Sequence, residues 1–112
     1  AVVDGLLWVI GGYDGANALA SVEVYDPEAD TWHEGPALMH GRYNACVGVW
    51  GGRLLVVGGC DGERRLSSVE VFDSNLGVWT QAAPLNHARS AALAVVLTQA
   101  DLDPEALGRV VP

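Results

Sequence analysis

The chain alternates short apolar runs with turns rich in glycine and aspartate, and no segment with helical periodicity separates these runs. The second half shows the pattern most clearly. A valine-rich run is followed by Gly51-Gly52, which suits a two-residue hairpin turn because both positions tolerate a positive φ. The pattern predicts four short antiparallel strands in this half, at 43–50, 53–57, 67–73 and 78–81.

The first half repeats the same pattern without a gap, at an offset of 47 residues. A four-stranded sheet with two apolar faces has to stack on a neighbour, and repeated units of this kind and length are typical of a β-propeller. The residues that recur include Gly11-Gly12 with Gly58-Gly59, Asp14 with Asp61, 21–24 with 68–71, Trp32 with Trp79, and Arg42 with Arg89.

These recurring residues resemble the kelch repeat, most closely the kelch domain of BTB-kelch proteins. The resemblance rests on the glycine doublets, on the Val-Glu-Val-aromatic-Asp strings that end at Asp26 and Asp73, and on a tryptophan seven residues after each aromatic. It implies an all-β fold, namely a partial kelch β-propeller with two four-stranded antiparallel blades plus one extra strand.

The repeat also predicts the boundaries. Blade one covers about 1–42, blade two about 43–89, and a lone first strand 90–97, so kelch repeats occupy 1–97. Residues 98–112 form a non-repeat tail, which we expect to be frayed, with a short helical turn as the alternative. Two blades do not close a ring of about 4–8 blades. We therefore expect a piece of a longer chain.

The charge balance narrows the choice of partners. The net charge is −8 and the chain contains no lysine, which argues against nucleic acid and against an anionic membrane surface. Its apolar runs are much shorter than the roughly 20 residues of a membrane helix. Cys46 and Cys60 are too few for a disulfide framework and fit reduced thiols, so we expect a cytoplasmic protein.

Motifs for catalysis are absent from the sequence. There is no phosphate-binding loop, no dinucleotide motif and no Cys-x-x-Cys, and the three histidines lack metal-ligand spacing. Some kelch propellers are copper enzymes of the galactose oxidase type, but nothing here places the tyrosine, histidine and cysteine ligands that they need. We therefore expect a binding module with no catalytic residue, no metal and no cofactor.

The resemblance also implies a partner-binding surface. In the kelch family that the sequence resembles, a substrate pocket on one face of the ring is lined by the residue after each glycine doublet, by the residue before the loop leucine, and by the arginine that opens the innermost strand with its successor. A guanidinium group can pair with both oxygens of a carboxylate, so an acidic peptide is the expected ligand. The residues implied here are Tyr13, Arg42, Tyr43, Cys60, Arg65, Arg89 and Ser90.

Several of these residues have a plainer interpretation. Because Arg42 and Arg89 recur at one repeat position, a structural ion pair or a hydrogen bond to the backbone is an equally good explanation for them. Arg65 also fits a solvated loop charge, and Cys60 a variable loop position. We expect Cys46 and Trp8 in the core, and the repeated aromatics packed between blades, namely Tyr25, Trp32, Phe72 and Trp79. For Trp50, which ends an inner strand before a hairpin, exposure is the alternative to burial.

The resemblance finally implies a function. It favours a protein-interaction module, in particular the substrate-recognition propeller, or part of one, of a cullin-3 ubiquitin ligase adaptor. Contact with cullin-3 would then require a BTB domain outside these residues. Since other kelch proteins bind actin, a cytoskeletal scaffold is the alternative.

Overall fold

The computed structural model describes residues 1–92, which form two four-stranded antiparallel sheets and contain no helix. In each sheet every strand pairs with its neighbour in sequence, so both sheets are meanders. Blade 1 consists of β1 (Val2–Val3), β2 (Leu6–Tyr13), β3 (Ala18–Asp26) and β4 (Thr31–Glu34). Blade 2 consists of β5 (Cys46–Trp50), β6 (Arg53–Val57), β7 (Val69–Asp73) and β8 (Val78–Gln81).

This architecture confirms the all-β prediction with two four-stranded blades. Within residues 1–92, no helix has the length and apolarity needed to cross a membrane. The lone strand predicted at 90–97 falls largely outside the described residues, and the tail predicted at 98–112 falls wholly outside them.

Strands β6 and β8 have the predicted bounds, whereas β5 and β7 begin later than expected. Strand β5 begins at Cys46 because Asn44 has a φ of 54°, which interrupts the extended backbone. Strand β7 begins at Val69 because its partner strand β6 ends at Val57, after which Gly58 leaves the extended conformation with a φ of 65°. The first difference arises at the end of the linker between the blades, and the second arises beside the glycine doublet that ends β6.

The two inner hairpins use equivalent turns. Asp4 and Gly5 join β1 to β2 with φ values of 51° and 77°, and Gly51 and Gly52 join β5 to β6 with φ values of 58° and 74°. Two successive positive φ angles fit the type I′ turn, whose twist matches that of the flanking strands.

The core lies between the two blades. Its buried members are Val22, Leu38, Leu54, Val56 and Trp79. The ring of Trp8 on β2 packs against Phe72 on β7 with centroids 5.2 Å apart, and Phe72 packs against Trp79 at 5.5 Å. Burial of each large apolar side chain contributes about 1.5–3 kcal/mol, so the blade-to-blade contact contributes substantially to stability.

The repeated aromatics are not equally buried. Trp79 faces blade 1 and is 4% exposed, whereas Trp32 faces away from blade 2 and is 50% exposed. Trp32 packs on the ring of Tyr25, with centroids 5.0 Å apart. The prediction of packing between the blades is therefore wrong for both Trp32 and Tyr25, because no described residue covers this face of blade 1. Trp8 is partly buried, and Trp50 is exposed as the sequence allowed.

The glycine doublets make room for backbone. Gly11 and Gly58 have φ values of 67° and 65°, and an added Cβ would lie 2.6 Å from the Arg42 carbonyl oxygen and 2.5 Å from the Arg89 carbonyl oxygen, respectively. The second glycine of each doublet donates its N–H to that same carbonyl, at 2.8 Å and 2.7 Å. The close neighbour is therefore the linker that leaves each blade.

Candidate partner-binding face

One end of the two sheets collects three segments of the chain, which we call the loop face: the β2–β3 loop region 13–18, the linker 39–45 and the β6–β7 loop region 58–68. Side chains join these segments. The rings of Tyr13 and Tyr43 pack with centroids 5.0 Å apart, and the His40 Nε2 lies 3.2 Å from the Asp61 Oδ2. The loop face thus combines residues from both blades and from the linker between them.

The backbone around Cys60 brings the predicted residues together. The N–H of Tyr43 donates to the Cys60 carbonyl at 2.9 Å, and the Cys60 N–H donates to the Tyr43 carbonyl at 2.8 Å. Cys60 also forms an isolated bridge with Arg65 across its own loop. Tyr13 and Arg65 are exposed, and Tyr43 and Cys60 are partly buried. The structure therefore places Tyr13, Tyr43, Cys60 and Arg65 side by side.

Two aspartates shape the loops of this face. The Oδ1 of Asp61 accepts the N–H groups of Glu63 at 2.9 Å and Arg64 at 3.0 Å, and Asp14 caps its own loop in the same way. These backbone hydrogen bonds, with a smaller contribution from His40, lower the pKa of Asp61 to about 2. The pKa of Asp14 is also lowered, by the N–H groups of Asn17 and Ala16. Both carboxylates are therefore ionised and fix the loop shape.

Arg42 is buried beneath the loop face. Its side chain is 1% exposed, and its guanidinium makes five hydrogen bonds. Nε donates to the His40 carbonyl at 3.4 Å, and Nη1 donates to the Gly58 and Ser68 carbonyls at 2.9 Å and 3.1 Å. Nη2 donates to the Ser68 Oγ at 3.1 Å and to the Glu70 Oε2 at 2.6 Å. The five N–H groups of the side chain are thus matched by five acceptors.

Glu70 completes this arrangement and was not singled out from the sequence. Its residue is 2% exposed, and its carboxylate accepts the N–H groups of Met39 at 2.7 Å and His40 at 3.3 Å in addition to the Arg42 guanidinium. One feature of the sequence could have indicated its structural role, because Glu70 and Glu23 recur at the same position of the repeat. A buried glutamate in a strand requires a cationic partner, which the preceding linker supplies.

The position of Arg42 corrects its assignment to the partner-binding set. Its guanidinium has no exposed surface for a ligand, because Ser68 and Glu70 of blade 2 enclose it. The alternative that the sequence left open, a structural ion pair or a hydrogen bond to the backbone, is the arrangement found, and Arg42 makes both. Arg42 thus joins the linker that follows blade 1 to Ser68 and Glu70 of blade 2.

Arg89 and Ser90 lie at the edge of the loop face. The Arg89 carbonyl accepts the Gly59 N–H at 2.7 Å, and the Ala91 N–H donates to the Asn44 carbonyl at 2.8 Å. Arg89 is exposed and Ser90 is partly buried. These two residues therefore flank the segment that carries Tyr43.

Other features of the described residues do not extend this site. No group of histidine, cysteine or acidic side chains within residues 1–92 has the arrangement of a metal site. Cys46 and Cys60 are both free thiols. A groove at the opposite end of the sheets is lined by Trp8, Arg53 and Phe72 among others, and none of the predicted partner-binding residues reaches it.

Comparison with known proteins gives the family. The family model for the kelch motif matches residues 1–39 and 41–86, which together make up most of the chain. The chain belongs to the kelch-motif family and contains about two kelch repeats. Kelch repeats are a protein-interaction module.

Two curated relatives show how much of a kelch protein these repeats represent. Kelch-like protein 35 of Homo sapiens is 42% identical over 53 residues, which is 47% of this chain and 9% of that protein. A kelch repeat and BTB domain-containing protein of Caenorhabditis elegans is 40% identical over 47 residues, which is 42% of this chain and 8% of that protein. In each case the match spans less than a tenth of the relative.

A solved structure shares the fold. The structure of YjhT superposes with a TM-score of 0.67 over 80% of this chain and 38% of that chain, at 17% sequence identity. At this identity the likeness concerns the fold alone.

Proposed function

We propose that this chain is part of the substrate-recognition propeller of a cullin-3 ubiquitin ligase adaptor, and that its loop face binds an acidic peptide segment. One observation carries the proposal. Tyr13, Tyr43, Cys60 and Arg65 come from three separate segments and lie next to one another on one exposed end of the sheets.

The chemistry of the loop face suits peptide recognition. Tyrosine and arginine dominate the binding energy of many protein interfaces, since each combines a large contact area with directed hydrogen bonds. Tyr13 is 54% exposed and forms the aromatic part of the face with Tyr43. Arg65 is exposed, so its guanidinium is accessible to a carboxylate.

The charges of the loop face determine which arrangement of acidic residues a bound peptide can have. Because Arg42 is used inside the chain, the exposed Arg64, Arg65 and Arg89 supply the cationic groups for a partner. The ionised carboxylates of Asp14 and Asp61 lie on the same face and repel acidic side chains. We therefore expect selection for the spacing of acidic residues in the peptide rather than for its total charge.

The adaptor role is supported by the relatives. One relative is named as a kelch-like protein and another as a protein that contains both kelch repeats and a BTB domain. In the proposed complex, a BTB domain outside these residues contacts cullin-3, and the kelch repeats bind the substrate without catalysis. The free thiols of Cys46 and Cys60 support a cytoplasmic location.

Peptide selection on the immobilised chain tests the proposal. A displayed library of random peptides is panned, and enriched peptides are measured by fluorescence anisotropy. We expect enrichment of Asp and Glu, and a loss of affinity of at least about tenfold in Arg65→Ala and in Tyr43→Ala, equivalent to about 1.4 kcal/mol. Arg53→Ala is the matched control, because Arg53 is an exposed arginine that begins β6 at the opposite end.

Two results would contradict the proposal: peptides without acidic enrichment, or equal losses in Arg65→Ala and Arg53→Ala, which would indicate unspecific attraction. Co-sedimentation with actin filaments that is indifferent to Arg65→Ala would favour the cytoskeletal alternative instead.

A further inference from the structure

A groove between the two blades opens at the end of the sheets that lies opposite the loop face. We call this end the hairpin end; it consists of the four strand-to-strand turns with their flanking residues, at 3–6, 26–31, 50–53 and 73–78. Residues 4, 52 and 74–75 of these turns line the groove, and its other lining residues belong to strands of blades 1 and 2. The groove is therefore formed by the contact between the two described blades.

Aromatic rings form the apolar part of the groove. Trp8 of β2 and Phe72 of β7 both line it, with ring centroids 5.2 Å apart, and neither residue is fully buried. An aromatic ring attracts a cation placed over its face. Apolar surface of this kind also accommodates the methylene stem of a long basic side chain, whose charged group stays near water.

Two carboxylates line the same groove. Asp4 lies in the β1–β2 turn and Asp73 at the end of β7. The Oδ1 of Asp73 accepts the N–H groups of Asn75 at 2.9 Å and Leu76 at 3.2 Å. Within residues 1–92, neither aspartate takes part in an ion pair. The groove thus combines aromatic surface with carboxylates that are available to a cationic ligand.

The hairpin end as a whole is acidic, unlike the loop face. The segments of the loop face contain three carboxylates and three guanidinium groups, whereas the hairpin end contains five carboxylates and one guanidinium group. Such a surface attracts basic partners and repels acidic ones. The charged residues of the hairpin end are Asp4, Asp26, Glu28, Asp30, Arg53 and Asp73.

We infer that the groove at the hairpin end binds a basic side chain from a partner protein. The stem of that side chain lies on Trp8 and Phe72, and its cationic group lies beside Asp4 and Asp73. Charge complementarity supports this occupant, since an acidic side chain would meet two carboxylates in the groove and an acidic surface around it. The inference gives the chain a second binding surface, and it does not depend on what the loop face binds.

NMR titration of the whole chain with Nα-acetyl-L-lysine amide, which has one free ammonium group, tests this inference. We expect weak binding, with a dissociation constant of roughly 1 mM or above, and with shifts that include the Trp8 indole N–H and the Asp4 and Asp73 amides. Nα-acetyl-L-norleucine amide has a four-carbon stem without the ammonium group. It should bind at least about fivefold more weakly, because it lacks the attraction to the rings and carboxylates.

Asp73→Asn and Asp26→Asn form a matched pair of variants. The two aspartates occupy the same position of the repeat, and Asp26 caps its own turn by accepting the N–H groups of Glu28 and Ala29 at 3.0 Å and 3.4 Å. Asparagine keeps an oxygen for these bonds, so each variant loses one charge and retains its turn. Asp73 lines the groove and Asp26 does not. We expect the dissociation constant to rise at least about threefold in Asp73→Asn and to change little in Asp26→Asn.

Two further variants define the site. Arg53→Gln should lower the dissociation constant, because Arg53 is the one cationic residue that lines the groove. Arg65→Ala, on the loop face, should leave it unchanged, so a failure of this inference is distinguishable from a failure of the proposed function. Circular dichroism checks that every variant is folded.

Four results would overturn the inference. They are an absence of shifts in the groove, equal affinity for the lysine and norleucine compounds, equal losses in Asp73→Asn and Asp26→Asn, and weaker binding in Arg53→Gln. The third would indicate unspecific attraction to the acidic end, and the fourth would indicate an acidic ligand.

Discussion

The guanidinium of Arg42, in the linker that follows blade 1, donates to the carboxylate of Glu70, on β7 of blade 2, at 2.6 Å. Both side chains are almost fully buried, at 1% and 3% exposure. The remaining oxygen of Glu70 and the remaining N–H groups of Arg42 are bound by backbone groups and by Ser68. The pair therefore fixes the linker to the second sheet, and with it the position of Tyr43 on the loop face.

Arg42→Met should destabilise the chain by about 3–5 kcal/mol, because it leaves the Glu70 carboxylate buried without a cation. Arg42→Lys should recover little of this loss, since an ammonium group does not reproduce five hydrogen bonds in a planar fork. Urea unfolding followed by tryptophan fluorescence measures both variants. Arg53→Met, at an exposed arginine, is the control, and a loss below about 1 kcal/mol in Arg42→Met would show that the pair is energetically neutral.

Gly58→Ala should lower the free energy of unfolding by at least about 1–3 kcal/mol, the cost of a non-glycine residue at a sparsely populated backbone conformation. The added Cβ also lies 2.5 Å from the Arg89 carbonyl oxygen, so the linker has to move. Gly48→Ala is the control, because Gly48 lies within β5 and has no heavy atom within 4 Å of an added Cβ. Equal melting temperatures for the two variants would contradict the role given to the doublet.

Trp79→Ala should cost about 3–5 kcal/mol, as expected for a buried tryptophan that also loses the hydrogen bond to Pro36. Trp32→Ala, at the same position of the first repeat, should cost about 1 kcal/mol or less in dilute solution, because Trp32 is 50% exposed. Thermal unfolding of the two variants at low protein concentration makes the comparison. Similar losses would mean that the face of blade 1 that carries Trp32 is covered in solution.

Asp61 should make the loop face sensitive to acid. Its pKa is about 2 in the folded chain, below its ordinary value near 3.8, because the backbone N–H groups of Glu63 and Arg64 favour the carboxylate. A carboxylate whose pKa is lowered by folding stabilises the fold above its unfolded pKa. That contribution is lost as the pH falls from about 4 to about 2.

The pH dependence is measured by NMR titration of the Asp61 carboxyl carbon and by thermal unfolding between neutral and acid pH. Asp61→Asn retains an oxygen that accepts both N–H groups but does not titrate between pH 2 and 4, so this variant should lose less stability on acidification. An Asp61 midpoint near 4 would show that the loop hydrogen bonds are absent in solution.

Much of the candidate site could be predicted from the sequence together with its family resemblance. Tyr13, Tyr43, Cys60 and Arg65 were predicted to share one surface, and they do lie together because each stands at a fixed position of the repeat. Whether they bind a partner stays a prediction. Glu70 was missed because its importance depends on a contact with a linker some 30 positions earlier in the chain.

The sequence by itself determined the strands and turns of both blades. Alternating apolar residues, glycine doublets and capping aspartates act over a few residues, so both repeats form four strands in the same order and with the same pairing. Only the tertiary structure decided which copy of each repeated residue is buried. Trp79 and Trp32 occupy equivalent positions, as do Arg42 and Arg89, yet in each pair one is enclosed and the other exposed. The physical reason is that burial depends on a neighbouring sheet, which local sequence does not encode.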